Sequence, residues 1–492
     1  MKRSFLIFCL CIVFFGCTRK NITPPDALVV AIPSEPANLD PRFALDADSQ
    51  RIDQLIFDSL IIIDHRLNII PHLAKVFENP NPLLYRFILH EGVTFHDGSP
   101  VTADNFSETL RKIRDPDFGS PYLASFKNID TITVINPLIL EIKLKIPQPN
   151  FLTDLTLIKA LPHQKEKSLI GSGPYQYVKK ESNTFILKRN LKHFKFKPKI
   201  ERLIFKVIKD DNTRLLKLKN GELDLVQNAL SSDSIVQLAA APALTLTKSP
   251  GLTYSYLGFN LKDPILKNKK VRQAIAYGIQ REEIIHHLLH DLATSAKSVL
   301  SPLNGYYEDR VESYEYDPEK AKRLLAASGL PLPIKLEYKT STDTETINIA
   351  RLIADQMKRL GIEITLRSHE WGTFFSDIQQ GDFQMFSSRW VGVTDPDIYY
   401  ELFHSSNVPP GKNRGHYVNS KMDKLLEQTK TTVDPGQRKK LYSAIQKRIA
   451  QDLPYVSLWH WNNVAVYSSK LKGFYFHPQS NYLPFIDISK EP

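Results

Sequence analysis

The chain has 492 residues, 42% of them hydrophobic, and its 64 Lys and Arg exceed its 53 Asp and Glu to leave a formal charge of +11. That is enough apolar material for two or three packed domains, which excludes a disordered chain, and the mildly basic balance gives no argument for nucleic acid. All three cysteines, Cys9, Cys11 and Cys17, fall in the first seventeen residues, so the body of the protein has no disulfide framework and no reactive thiol, and its core alone must hold it together.

Lys2 and Arg3 precede an apolar run over residues 5–15, and Gly16 stands directly before Cys17. Crossing the roughly 30 Å of a bilayer core takes about 20 apolar residues, so the run is predicted to be a cleaved targeting segment over residues 1–16. A small residue followed by cysteine resembles a bacterial lipoprotein signal. Cleavage there would make Cys17 the N-terminus and the site of lipidation, and two or three acyl chains at about 0.8 kcal/mol per buried methylene form a stable anchor. The rest of the chain would lie outside the cytoplasmic membrane, beyond a polar, Pro-containing linker over residues 17–26.

From there strand-like and helix-like segments alternate, with no low-complexity tract and no fixed-period repeat. The basic stretch between Lys188 and Lys209 alternates with Phe194, Phe196, Ile200, Leu203, Phe205 and Val207, which reads as strand with one solvated face. Asp317-Pro318 opens a helix with an N-cap and a proline at the first helical position, and Gly329 ends it. Residues 334–340 alternate as a strand. Thr342 and Glu345 then have the spacing of a capping box, Ala350, Ile353, Met357 and Leu360 form one apolar stripe, and Gly361 closes the helix before a second strand over residues 362–366. Strand, helix and strand in so short a stretch make a βαβ crossover, which places at least one lobe in the α/β class with a mostly parallel sheet. Asp434-Pro435 opens a further helix in the same way as Asp317-Pro318.

Catalytic constellations are thin. No nucleophile elbow or P-loop occurs, and Gly171-Ser172-Gly173 is too short for a dinucleotide fingerprint. His286 and His290 have i, i+4 spacing for a shared metal ion beside His287, but no Glu follows the first His, and the cluster reads as a solvated helical turn. Trp459-His460-Trp461 reads as core or cleft wall. No metal, no cofactor and no catalytic residue is predicted, and an anchored extracytoplasmic α/β protein of this kind points to capture of a solute, not an enzyme.

Several motifs in order carry a specific resemblance: Pro36-Ala37-Asn38-Leu39-Asp40-Pro41, Pro71-His72-Leu73-Ala74, the block from Tyr85-Arg86-Phe87 through His96-Asp97-Gly98-Ser99-Pro100 to Asp104-Asn105, Gly171-Ser172-Gly173-Pro174-Tyr175, Gly258-Phe259-Asn260, Val271-Arg272-Gln273-Ala274 and Gly381-Asp382-Phe383. In these the chain resembles the extracellular solute-binding proteins of peptide and nickel ABC importers, family 5. The resemblance implies a two-lobed periplasmic-binding-protein fold of type II. Lobe I would comprise residues 27–58, 171–259 and 468–492, an inserted subdomain residues 59–170, and lobe II residues 260–467. It implies a lipid-anchored, monomeric substrate-binding protein at the periplasmic face of the membrane that captures peptides between its lobes and delivers them to ABC permease subunits. A nickel or metal-chelate receptor is the alternative within the family, and a chaperone-like or cell-wall-peptide-binding protein that feeds no transporter is the alternative outside it.

The resemblance also implies site residues. Peptide-binding members meet the ligand's ammonium with a carboxylate three residues after the tryptophan that corresponds to Trp390, and here that position is Val393 in a loop about one residue shorter. Either Asp395 takes over the charge-assisted contact, or Asp395-Pro396 is a turn and the ligand's end is not a free amine. Leu45, Asp46 and Ala47 correspond to a strand beside the ligand, Tyr254 and Tyr256 to the hinge side, and Trp371 to an aromatic residue ahead of a helix. Arg389 offers a bidentate partner for a peptide carboxylate, and Gly392 permits close backbone approach.

Overall fold

A computed structural model describes residues 23–163, 169–239 and 241–491. The targeting segment, Cys17 and most of the expected linker lie outside them. Among the described residues no helix is long and apolar enough to cross a membrane.

The βαβ unit forms from strand Ile334–Ser341, helix Thr344–Lys358 and strand Ile362–His369, with the two strands parallel and Ile334 opposite Ile362. Ile349, Ala350, Ile353 and Met357 are its buried stripe, and Gly361 makes the turn at a φ of 86°. The cap differs from the sequence expectation: Asp343, not Thr342, accepts the Thr346 N–H at 2.9 Å. A carboxylate at this position satisfies an orphan N–H and also complements the helix dipole. Glu345 is thereby released from capping duty. Asp317 caps helix Pro318–Ala326 and Asp434 caps helix Pro435–Asp452, each with proline in the first turn. The basic stretch is strand only in Thr184–Arg189 and Arg202–Val207; residues 190–201 between them are irregular, and His193 there turns inward.

One eleven-stranded sheet runs through both lobes. Its middle is an antiparallel pair of long strands, Leu244–Phe259 and Tyr455–Ser468. Beyond Leu244–Phe259 lie Met385–Trp390 and the βαβ strands, and beyond Tyr455–Ser468 lie Leu225–Gln227, Ala27–Ile32 and Arg202–Val207. The core each long strand serves changes along its length. Leu246, Val464 and Val466 pack with Val29 and Leu238 in lobe I, whereas Leu257, Phe259, Val456 and Trp459 pack with Val271, Ile275 and Met385 in lobe II. At the changeover the pairing register jumps between Ser249 and Thr253, and a Cβ on Gly251 would stand 2.3 Å from the Trp461 carbonyl oxygen. This bulged crossing, in mid-strand, is where the cores of the two lobes meet. The boundaries expected at 260 and 467 lie at the outer ends of these two strands, Leu244–Phe259 and Tyr455–Ser468, each of which continues through the crossing.

A third core, with Phe87, Phe106, Leu110, Leu140 and Ile142, belongs to a four-stranded antiparallel sheet of Ala74–Asn81, Leu84–Leu89, Ile139–Leu144 and Ile129–Asn136 covered by helix Ala103–Ile113. It joins lobe I where Gly171 and Gly173 press on the backbone of Ile56, with the Gly173 N–H donating to the Ile56 carbonyl at 2.8 Å. A Cβ on Gly171 would lie 1.9 Å from that carbonyl oxygen, so this glycine pair serves close backbone packing.

Candidate functional site

Strand Ala27–Ile32 is buried throughout, and the chain leaves it at Pro33-Ser34 and returns as helix Ala47–Ile56, whose N-cap Asp46 accepts the Ser49 N–H at 2.9 Å. Opposite, strand Met385–Trp390 ends its pairing with Leu244–Phe259 at Trp390, and the chain continues as Val391-Gly392 before the Val393 N–H returns to the Leu252 carbonyl at 2.9 Å. Gly392 has a φ of 64° with open space around its Cβ position. Between these two edges lie two cavities of about 420 Å³ each that share Ala47, Arg51, Val391, Gly392 and Gln479. They are adjoining parts of one interlobe cleft. One part reaches the subdomain joint at Asp58, His72 and Lys159, and the other reaches the strand crossing at Thr253, Glu345, Arg389 and Trp461.

The structure brings Leu45, Asp46, Ala47, Arg389 and Gly392 to this cleft. Leu45 is 62% exposed. The Asp46 carboxylate already accepts from the Ala37 and Ser49 N–H groups and the Ser49 hydroxyl. Arg389 makes no ion pair within 4 Å among the described residues; its guanidinium lies 6.0 Å over the Trp461 ring, and its charge acts on the Glu345 carboxyl. Trp390 is half-buried, parallel to Tyr256 at 6.3 Å and under the Arg414 guanidinium at 4.8 Å.

Tyr254 and Tyr256, expected on the hinge side of the cleft, point into the body of lobe II, where Tyr254 shares a 2.8 Å hydroxyl contact with Ser457 and Tyr256 stacks on Tyr455 at 4.3 Å. The pleat decides this: their face of the strand covers the aromatic core of lobe II. Val393 is buried beneath the loop, so Thr394 lines the cleft. The Asp395 carboxylate accepts the Asp397 N–H at 2.8 Å, and burial, then the neighbouring Asp397, raise it to about 6. Trp371 is 56% exposed and stacks on Phe375 at 5.7 Å, away from both cleft cavities.

Other residues here have no sequence motif to announce them. Glu345 accepts a 2.7 Å hydrogen bond from the Ser232 hydroxyl across the cleft. Asp154 of the subdomain accepts from Gln148 and Asn150, and burial, then Asp395 and Asp397 of lobe II, push its carboxyl up to about 8. At the floor, buried Asp58 accepts from His72 Nε2 at 2.7 Å, His193 Nε2 at 3.3 Å and the Ser172 hydroxyl at 2.9 Å. This trio has the geometry to surround a metal ion. Yet His193 Nδ1 already accepts the Lys195 and Phe196 N–H groups, so its Nε2 carries the proton and has no lone pair for a metal. The trio is a hydrogen-bonded joint between lobe I and the subdomain. His286 and His290, the spacing-based metal candidates, lie instead against Asp291 and Asp233.

Two lobes joined by a continuous strand pair, with a ligand-sized cleft between them, define a solute-binding clamp. The chain belongs to the bacterial extracellular solute-binding proteins, family 5, whose profile matches residues 68–410. It is 27% identical over 487 residues to the oligopeptide-binding protein AppA of Bacillus subtilis, covering 92% of this chain and 89% of that one. The structure of AppA in complex with a nonapeptide matches with a TM-score of 0.79 at 26% identity, over 95% of this chain and 99% of that one. The ABC transporter substrate-binding protein CtaP of Listeria monocytogenes matches with a TM-score of 0.87 at 27% identity, over 95% and 99%. NikZ of Campylobacter jejuni, solved with Ni(L-His), matches with a TM-score of 0.82 at 26% identity, over 95% and 100%.

Proposed function

We propose that this solute-binding protein captures peptides in the interlobe cleft and delivers them to the permease of an ABC importer, as a monomer anchored outside the cytoplasmic membrane through lipidated Cys17. The observation that carries the reading is the exposed backbone at Val391-Gly392: neither N–H has an acceptor among the described residues, and both residues line the two joined cavities. Backbone donors beside roomy pockets grip a peptide main chain while side chains vary. Arg389, a cation in the same cleft whose guanidinium makes no ion pair within 4 Å among the described residues, suits a peptide carboxylate. The similarity to AppA supports the class of ligand. Lobe I, subdomain and lobe II act as jaws about the bulged strand crossing, and the protein holds its ligand without converting it.

The competing nickel reading rests on the likeness to NikZ. Mass spectrometry of whatever co-purifies with the protein tests the two directly. Peptides in stoichiometric amount are the expected finding; a nickel chelate in their place overturns the proposal. For the anchor, Cys17→Ala should release the protein from salt-washed membranes, and equal retention of the variant contradicts lipidation.

A further inference from the structure

Lobe II holds another cavity, of about 490 Å³, that shares no lining residue with the two parts of the cleft. Arg281 stands at its inner wall, buried, on the short helical turn Arg281–Glu283. Its Nη2 donates to the Tyr314 carbonyl, while Nε and Nη1 have no protein acceptor and are not sealed from the cavity. Two other buried arginines are bonded more fully: Arg272 donates from Nε, Nη1 and Nη2 to the carbonyls of Leu453, Leu266, Lys267 and Asp452, and Arg214 is held as densely. The charges of Glu282 and Glu315 act on it, but no carboxylate among the described residues forms an ion pair with it, and a buried guanidinium with open donors is an expensive arrangement unless something pairs with it.

The remaining walls say what that something is. Tyr254, Tyr399, Phe403 and Tyr455 give the interior aromatic faces, while Glu282, Glu312 and Glu315 are exposed among the lining residues and outnumber the one exposed lining cation, Lys297, which is paired with Asp309, so the outer part is acidic. A carboxylate matches the donor fork of Arg281. A phosphate dianion would meet the field of three glutamates, whereas an ammonium at the other end of the ligand is attracted by them. The cavity is large enough for a small molecule with a bulky side chain.

We propose that this cavity is a second ligand site, independent of the interlobe cleft, that takes an amino-acid zwitterion with an aromatic side chain. The carboxylate pairs with Arg281, the ammonium faces the glutamates, and the ring packs on the tyrosines.

Calorimetric titration of the full chain with L-phenylalanine, 3-phenylpropionate and phenethylamine tests it. Saturable binding of L-phenylalanine is expected, weaker by about tenfold or more for either analogue, since each lacks one charged partner. Arg281→Gln should weaken L-phenylalanine by about tenfold or more, and Arg389→Gln, which alters the cleft, should not weaken it. Glu312→Lys, at an exposed position where folding is not at stake, should also weaken it and keeps the test decisive if Arg281→Gln fails to fold. No saturable binding at millimolar concentration overturns the proposal. So does binding lost in Arg389→Gln but unchanged in Glu312→Lys, which would place the amino acid in the cleft.

Discussion

The Ser232 hydroxyl donates a 2.7 Å hydrogen bond to the Glu345 carboxylate, and the two residues belong to different lobes. Ser232 begins helix Ser232–Ala239, whereas Glu345 lies in the first turn of helix Thr344–Lys358. Burial raises the Glu345 carboxyl, with Ser232 and Arg389 pulling it back. A bond made only when the lobes meet stabilises the closed form, by about 0.5–1.5 kcal/mol net. Ser232→Ala should therefore enlarge the ligand-free protein in small-angle scattering and weaken peptide binding about two- to tenfold. Unchanged scattering and affinity would remove the latch from the mechanism.

Closure should also depend on pH. With the lobes together, burial and then Asp395 and Asp397 raise Asp154 to about 8, and burial and then Asp397 raise Asp395 to about 6. Once the lobes part, both carboxyls regain water and return toward 3.8, so the closed form binds protons that the open form releases. The junction thus favours closure fully below 3.8 and loses that preference as pH rises through about 6 and then about 8. Fluorescence transfer between labels on the two lobes should report a more closed ligand-free protein on acidification, and Asp154→Asn should flatten most of that dependence. A profile untouched by Asp154→Asn places the titration elsewhere.

Asp58 is a stability position. Burial alone would raise its carboxyl, but the charges and hydrogen bonds of His72 and His193 hold it well below the usual carboxylate range. Burial keeps His72 below 6.5, with Asp58 opposing. Both shifts act in one direction: on unfolding His72 takes up a proton below 6.5, and Asp58 below 3.8, so stability falls as pH drops through each value. Asp58→Ala leaves two buried histidines unpaired and should cost about 3–5 kcal/mol in chemical denaturation. A loss under about 1 kcal/mol would show the trio to be weakly coupled.

Local rules carried the reading of this fold where the deciding residues are neighbours. Asp317 with Pro318, Asp434 with Pro435, and Gly361 announce helix ends that the structure shows. They failed where the partner is remote. Glu345 has capping-box spacing after Thr342, but adjacent Asp343 is the better cap, and the Glu meets Ser232, 113 positions away. Asp58 finds His193 at a separation of 135, and no short motif encodes that. Tyr254 and Tyr256 follow the strand crossing, yet which face of the strand looks at ligand depends on the sheet's two coverings, which periodicity alone does not distinguish.

The ligand's amino end is decided by Val393 and Asp395. Val393 is buried, and Asp395 accepts the Asp397 N–H while its charge raises the Asp154 carboxyl, an arrangement that favours the turn reading of Asp395-Pro396. N-acetylated and free peptides should then bind within about threefold of each other, and Asp395→Asn should leave that ratio unchanged. A free-amine preference lost in Asp395→Asn would return Asp395 to the role of ammonium partner, at the 2–5 kcal/mol typical of a desolvated charge pair.

The most direct measurement is the thermal unfolding midpoint of the protein with a mixed peptide library and, separately, with nickel and histidine. A ligand enclosed between the lobes stabilises by about 2.7 kcal/mol at a hundred times its dissociation constant. The expected result is a midpoint raised by peptides, less so in Arg389→Gln, and unmoved by nickel with histidine. A midpoint raised by the nickel complex and indifferent to peptides would contradict peptide capture.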